Sequence, residues 1–146
     1  MIEFLNNIFA PLYEAFFDYQ TNNELLQCIF NNFDYAKMVG VLLITPVLLL
    51  LGFYKIWDPI KNPKLKWILT IIISALISAI LTQKILIELN VCLRMKIGGF
   101  TGDGVDPFNF ALSMSMISFF YALIISIILS IIPFRLISTN NRYNPF

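Results

Sequence analysis

WILTIIISALISAILTQKILIEL, residues Trp67 to Leu89, decides the architecture. Its first part, Trp67 to Gln83, contains no Asp, Glu, Lys or Arg. An uncharged run of that length approaches the ~20 apolar residues that cross a ~30 Å hydrocarbon core. Working outward, two more windows are charge-free: Met38 to Tyr54 and Pro107 to Phe134. Apolar residues make up 58% of the 146, and only 13% are charged. A water-soluble fold of this size cannot hide so much hydrocarbon, and a buried soluble helix is normally shorter and carries a polar stripe. The fold class expected is therefore an all-α integral membrane protein, with three transmembrane helices preceded by an N-terminal amphipathic helix.

Two regions follow: an amphipathic or interfacial segment over 1–34, and a three-helix transmembrane domain over 35–146 with spans of about 35–57, 67–89 and 107–134. In Ile2 to Tyr19, Glu3, Asn6, Asn7, Glu14 and Asp18 gather near one helical face, with Phe4, Leu5, Ile8, Phe9, Leu12, Phe16 and Phe17 largely elsewhere. Pro11 is expected to kink or divide this helix. Its acidic polar face lacks the basic side chains of a surface-binding helix, which favours packing across the other helices. With no Lys or Arg, Met1 to Tyr19 also does not read as a signal peptide. Asn22, Asn23, Asn31, Asn32 and Asp34 mark a turn-prone stretch leading into the first span, which Pro46 should bend. Pro59 and Pro63 in the short link Asp58 to Lys66 make an antiparallel hairpin of the first two spans, with Tyr54, Trp57 and Trp67 as interfacial anchors. Asn90 to Asp106 reads as a polar loop, and Asp106-Pro107 as a helix start.

Charge sets the expected orientation. Lys55, Lys61, Lys64, Lys66, Arg135 and Arg142 fall on one side, against Lys37, Lys84, Arg94 and Lys96 on the other. By the positive-inside rule the hairpin and C-terminus are cytoplasmic and the N-terminus is outside, with a bacterial inner (cytoplasmic) membrane as the expected location. A formal charge of +1 gives no basic excess for displacing counterions from phosphates, so nucleic acid is not an expected partner.

The chemical inventory is thin. The absence of histidine removes the commonest general base and metal ligand, and two cysteines do not make a structural zinc site. Neither catalytic residues, a metal site nor a cofactor is expected. Cys28 and Cys92 fall just beyond the same membrane face, where a disulfide is geometrically open to them; the alternative is two unpaired, partly buried thiols. Thr70, Ser74, Ser78 and Thr82 recur every four residues in the second span, with Ala75 and Ala79 beside them. Ser118, Ala122, Ser126 and Ser130 repeat the spacing in the third. Such small-residue ridges let helices approach closely; the two readings are plain helix packing and, in several copies, a hydroxyl-lined pore. Lys84 and Glu88 are spaced to pair on one helical face as an intramembrane ion pair, or to snorkel to the interface as Lys37 would.

Phe100 to Asp106 superficially suggests a calcium loop but lacks the ligand spacing and final bidentate Glu of an EF-hand; a turn plus helix cap accounts for it. The terminal Asn144-Pro145-Phe146 reads as a frayed end or a short grip for a partner. The sequence thus points to a non-enzymatic membrane subunit, partnered by lipid and by copies of itself or other membrane proteins. It would act as a pore or as the anchor or scaffold of an envelope-spanning assembly. The alternative is a small membrane enzyme acting on lipid at the outer interface through Asp103, Asp106 or Glu88.

Overall fold

The structure, a computed structural model, describes residues 2–56, 62–97 and 105–134. Six helices follow in order: α1 (Ile2–Glu14), α2 (Tyr19–Asn31), α3 (Asp34–Leu51), α4 (Pro63–Lys84), α5 (Val91–Lys96) and α6 (Pro107–Leu129). The chain is an all-α membrane protein, and no strand occurs among the described residues. Three helical stretches are long and apolar enough to cross a membrane: Asp34–Lys55, Lys64–Leu89 and Pro107–Ile132. Each of α3, α4 and α6 runs on into one wider π turn, at Gly52–Ile56, Ile85–Leu89 and Ser130–Phe134 respectively. Trp57, Asp58, Pro59, Phe100 to Gly104 and the tail from Arg135 to Phe146 lie outside the described residues.

Small hydroxyl side chains are buried inside the bundle, and large apolar ones are left on its outside. Ser74, Ser78, Thr82, Ser118, Ser126 and Ser130 are completely buried, whereas Leu43, Ile44 and Leu48 on α3, Ile73, Leu76 and Ile80 on α4, and Phe120, Ile124 and Ile128 on α6 are exposed. This arrangement suits lipid, because acyl chains solvate Leu and Ile as well as another helix does. Close contact of small residues and interhelical hydrogen bonds then decide which faces meet.

One apolar core joins Met38 and Leu42 of α3, Ala75 of α4 and Phe110, Ala111 and Met114 of α6 to Tyr13 of α1, Leu25, Leu26 and Ile29 of α2 and Leu93 of α5. A smaller cluster of Leu50, Phe53 and Tyr54 closes the opposite end.

The N-terminal region departs from expectation in three ways. Pro11 does not divide α1, which runs unbroken to Glu14. Of the stretch expected to be turns, Asn22, Asn23 and Asn31 lie in the helix α2, while Asn32 and Phe33 do form the turn into α3. Asp18 caps α2, accepting from the Gln20 amide at 3.2 Å, and its apolar face at Leu25, Leu26, Cys28 and Ile29 is buried. Tertiary burial here outweighs the weak helix preference of Asn. Finally, α1 buries Asn6, Ala10 and Tyr13 and exposes Ile2, Phe4, Ile8 and Leu12 together with Glu3 and Asn7. It docks through a stripe that includes one amide and one phenol, with several large apolar side chains left outward. Phe33, with φ of 55°, is the left-handed residue that turns the chain from α2 into α3. The expected loop from Asn90 contains a further short helix, α5, capped by the Asn90 side chain accepting from the Leu93 amide at 2.9 Å.

Candidate functional site

Side-chain hydrogen bonds between elements distant in sequence collect in three places. The first lies where α2 meets α3 and α4 meets α5. Asp34, fully buried, accepts from Asn90 Nδ2 at 2.5 Å, from Lys37 Nζ at 2.7 Å and from Asn32 Nδ2 at 3.2 Å. Asn90 also donates to the Cys28 carbonyl at 3.4 Å, so its one amide group serves α2, α3 and α5. Beside it Cys28 and Cys92 are joined as a disulfide, with Cα atoms 5.8 Å apart. Lys96 of α5 and Glu24 of α2 add an ion pair at 2.6 Å on the surface. A carboxylate withdrawn from water is tolerable only with such company, since an unpaired buried charge costs several kcal/mol.

Above this clamp lies an open groove of about 760 Å³, walled by Glu24, Gln27, Asn31, Asn32, Met95 and Lys96 with the disulfide and Asn90 along it. Sequence reading missed Asp34 and Asn90. The signals were Asp34 three residues before Lys37, and an Asn three before an apolar Leu93, the spacing of a helix cap.

The second place is the α4–α6 seam. Ser126 Oγ donates to Ser74 Oγ at 3.3 Å, which sets an antiparallel register. In it Thr70 lies level with Ser130, Ser78 with Ala122 and Thr82 with Ser118. The two ridges therefore face each other within one protomer, and all eight of their residues are buried. Ser130 Oγ also meets Tyr54 Oη at 2.7 Å and accepts from Trp67 Nε1 at 2.6 Å, so one hydroxyl joins all three spans. Tyr54, expected as an interfacial anchor, is buried in this knot. Thr70 Oγ1 returns to the Lys66 carbonyl at 2.8 Å. Ser78 Oγ and Thr82 Oγ1 are buried with no hydrogen-bond partner among the described residues.

The third place fastens α1. Tyr13 Oη and Ser118 Oγ share a hydrogen bond of 3.0 Å, Tyr35 Oη donates to Glu14 Oε1 at 3.1 Å, and Tyr121 Oη donates to the Leu12 carbonyl at 2.8 Å. Asn6 Nδ2 donates to the Phe30 carbonyl at 3.0 Å. The rings of Tyr13, Tyr35 and Tyr121 pack around this point, with centroids 5.9 and 5.6 Å from that of Tyr13. Burial pushes the Tyr13 phenol up to about 12.

The remaining expected residues are not gathered. Lys84 and Glu88 are both exposed, and no ion pair joins them among the described residues. Lys37, expected to snorkel, is held by Asp34. Asp106 caps α6, accepting from the Phe108 amide at 3.0 Å, while Asp103 lies outside the described residues. Among the described residues no three His, Cys, Asp or Glu side chains are grouped to hold a metal.

Comparison with protein-family profiles, with curated proteins and with solved structures gives no match. What fold and site define is a class: a small all-α protein with three apolar spans, cross-braced at both ends of the bundle.

Proposed function

We propose that this chain is a non-enzymatic membrane subunit that anchors or scaffolds a larger membrane complex, docking with other membrane proteins or with copies of itself. The observation that carries this reading is how the buried polar side chains are spent. Asp34, Asn90, Ser74, Ser126, Ser130 and Tyr13 each bond across elements of the same chain, which makes for a rigid post. The pore form of the reading draws less support, since it asks for ridge hydroxyls facing a shared axis, and here they face one another.

We further propose that the membrane is a bacterial inner membrane, with the N-terminus and the disulfide end outside. Two independent features support this: the lysine excess at the hairpin, and a disulfide at the opposite end, where an oxidising compartment would keep it.

Crosslinking in native membranes, followed by native mass spectrometry under gentle extraction, tests the docking reading. Stable heteromeric or homomeric species are expected, and a chain recovered only as monomer overturns it. Reporter fusions at residue 62 and at the last residue are expected to be active only inside the cell. Activity of both outside reverses the topology.

A further inference from the structure

Glu14 is the last residue of α1, half-buried, and its only hydrogen-bond donor among the described residues is Tyr35 Oη, on Oε1 at 3.1 Å. The ion pairs found among those residues, Lys37–Asp34 and Lys96–Glu24, lie elsewhere, so this carboxyl group has no cation among the described residues. It opens into a pocket of about 190 Å³, room for about six waters at roughly 30 Å³ each. The other walls are Tyr19, Leu26, Gln27 and Phe30. Leu26 is buried, while the Tyr19 and Phe30 rings are 56% and 39% exposed. Gln27 spends its Nε2 on Asn23 Oδ1 at 3.0 Å, and its Oε1 has no donor among the described residues. A carboxylate, a vacant amide oxygen and two aromatic walls together suit a compact cation bearing N–H groups: the first two accept from it and the rings attract it through their faces. The pocket walls include no Lys or Arg to hold an anion.

Where the pocket lies narrows the source of that cation. Tyr35, which holds Glu14, is the second residue of the first span. Glu14 is therefore held at the start of the first span, which is the headgroup level, and the side chains of Ile8 and Leu12 on α1 and of Phe16 just after it are exposed.

We propose that this pocket binds a primary ammonium group, that of an ethanolamine phospholipid, with the acyl chains running along the outward face of α1. Glu14 and Gln27 accept the ammonium N–H groups, and Tyr19 and Phe30 flank it. This inference is independent of the docking partner and of which way the protein faces.

The test is lipid retention by the full-length protein, taken from nanodiscs of mixed phosphatidylethanolamine and phosphatidylglycerol and read by native mass spectrometry. One ethanolamine lipid per chain is expected, favoured at least tenfold over the glycerol lipid, and weaker retention of the N-trimethylated choline lipid. Glu14→Gln keeps an acceptor for Tyr35 and is expected to abolish the preference while the Cys28–Cys92 disulfide still forms. Phe30→Leu, at a surface position, is expected to reduce it severalfold. Equal retention of ethanolamine and glycerol lipids, or an unchanged preference in Glu14→Gln, overturns the site. Displacement of the lipid by millimolar free ethanolamine overturns the lipid as occupant.

Discussion

Asp34 and Asn90 meet at 2.5 Å across 56 residues of sequence, with neither side chain exposed. The first begins α3, and the second sits between the π turn that ends the second span and α5. Their contact fixes how the two spans and the two short helices above them are set against one another. Asn90→Ala removes both the amide that serves Asp34 and the oxygen that caps α5. We expect a loss of about 2–3 kcal/mol, read from thermal unfolding in detergent, because a buried charged acceptor is left short of a donor. Glu24→Gln, which breaks the exposed pair with Lys96, is the contrast and should cost under about 1 kcal/mol. Equal losses in the two variants would mean that burial of Asp34 does not matter.

The Cys28–Cys92 bond closes a loop across a sequence separation of 64, linking α2 to α5 beside the Asp34 clamp. A crosslink of that reach is worth roughly 2–4 kcal/mol by restriction of the unfolded chain. Cys28→Ser with Cys92→Ser is expected to lower the unfolding midpoint, and reductant should do the same to the parent but nothing to the variant. Non-reducing electrophoresis checks the bond directly, since the parent should migrate ahead of the double variant.

The α4–α6 seam separates size from polarity. Ser74→Leu or Ser126→Leu inserts side-chain bulk where the two hydroxyls are 3.3 Å apart, and should destabilise by about 1–3 kcal/mol or more as the helices are forced apart. Ser78→Ala deletes a hydroxyl that has no partner among the described residues, so we expect a change near zero or a gain of up to ~1 kcal/mol. Unfolding in mixed micelles discriminates the two, and a Ser78→Ala variant as damaged as Ser74→Leu would show that the Ser78 hydroxyl is in use.

Tyr13 makes the attachment of α1 sensitive to alkali. Burial lifts its phenol from 10 to about 12, so the folded state favours the protonated form. Below about pH 10 both folded and unfolded chains keep the proton and the contribution is complete. Between about 10 and 12 only the unfolded chain gives it up, and stability falls as pH rises. Tyr13→Phe should make the fall in unfolding midpoint across that window shallower, at the expense of the Ser118 hydrogen bond, worth about 0.6 kcal/mol within membranes. An unaltered slope would detach the alkaline transition from Tyr13.

Periodicity and charge spacing alone determined the class and the number of spans, and marked the small-residue ridges of α4 and α6 without saying what they would face, because both the length of an uncharged run and a four-residue ridge are properties of one helix. The same logic failed where the deciding partner is far away in the chain. The helix α2 exists because Leu25, Leu26 and Ile29 find a core supplied by other segments, although its asparagines read as turns. Lys84 and Glu88 are spaced to pair, yet no ion pair joins them among the described residues, since spacing does not fix where two long exposed side chains point. Nothing local announces that Asp34 will be buried against Asn90, or that α1 will leave several large apolar side chains outward while Tyr13 reaches Ser118. Those outcomes belong to the tertiary structure, since the bonds that make a buried carboxyl or phenol tolerable join residues whose proximity only the assembled bundle creates.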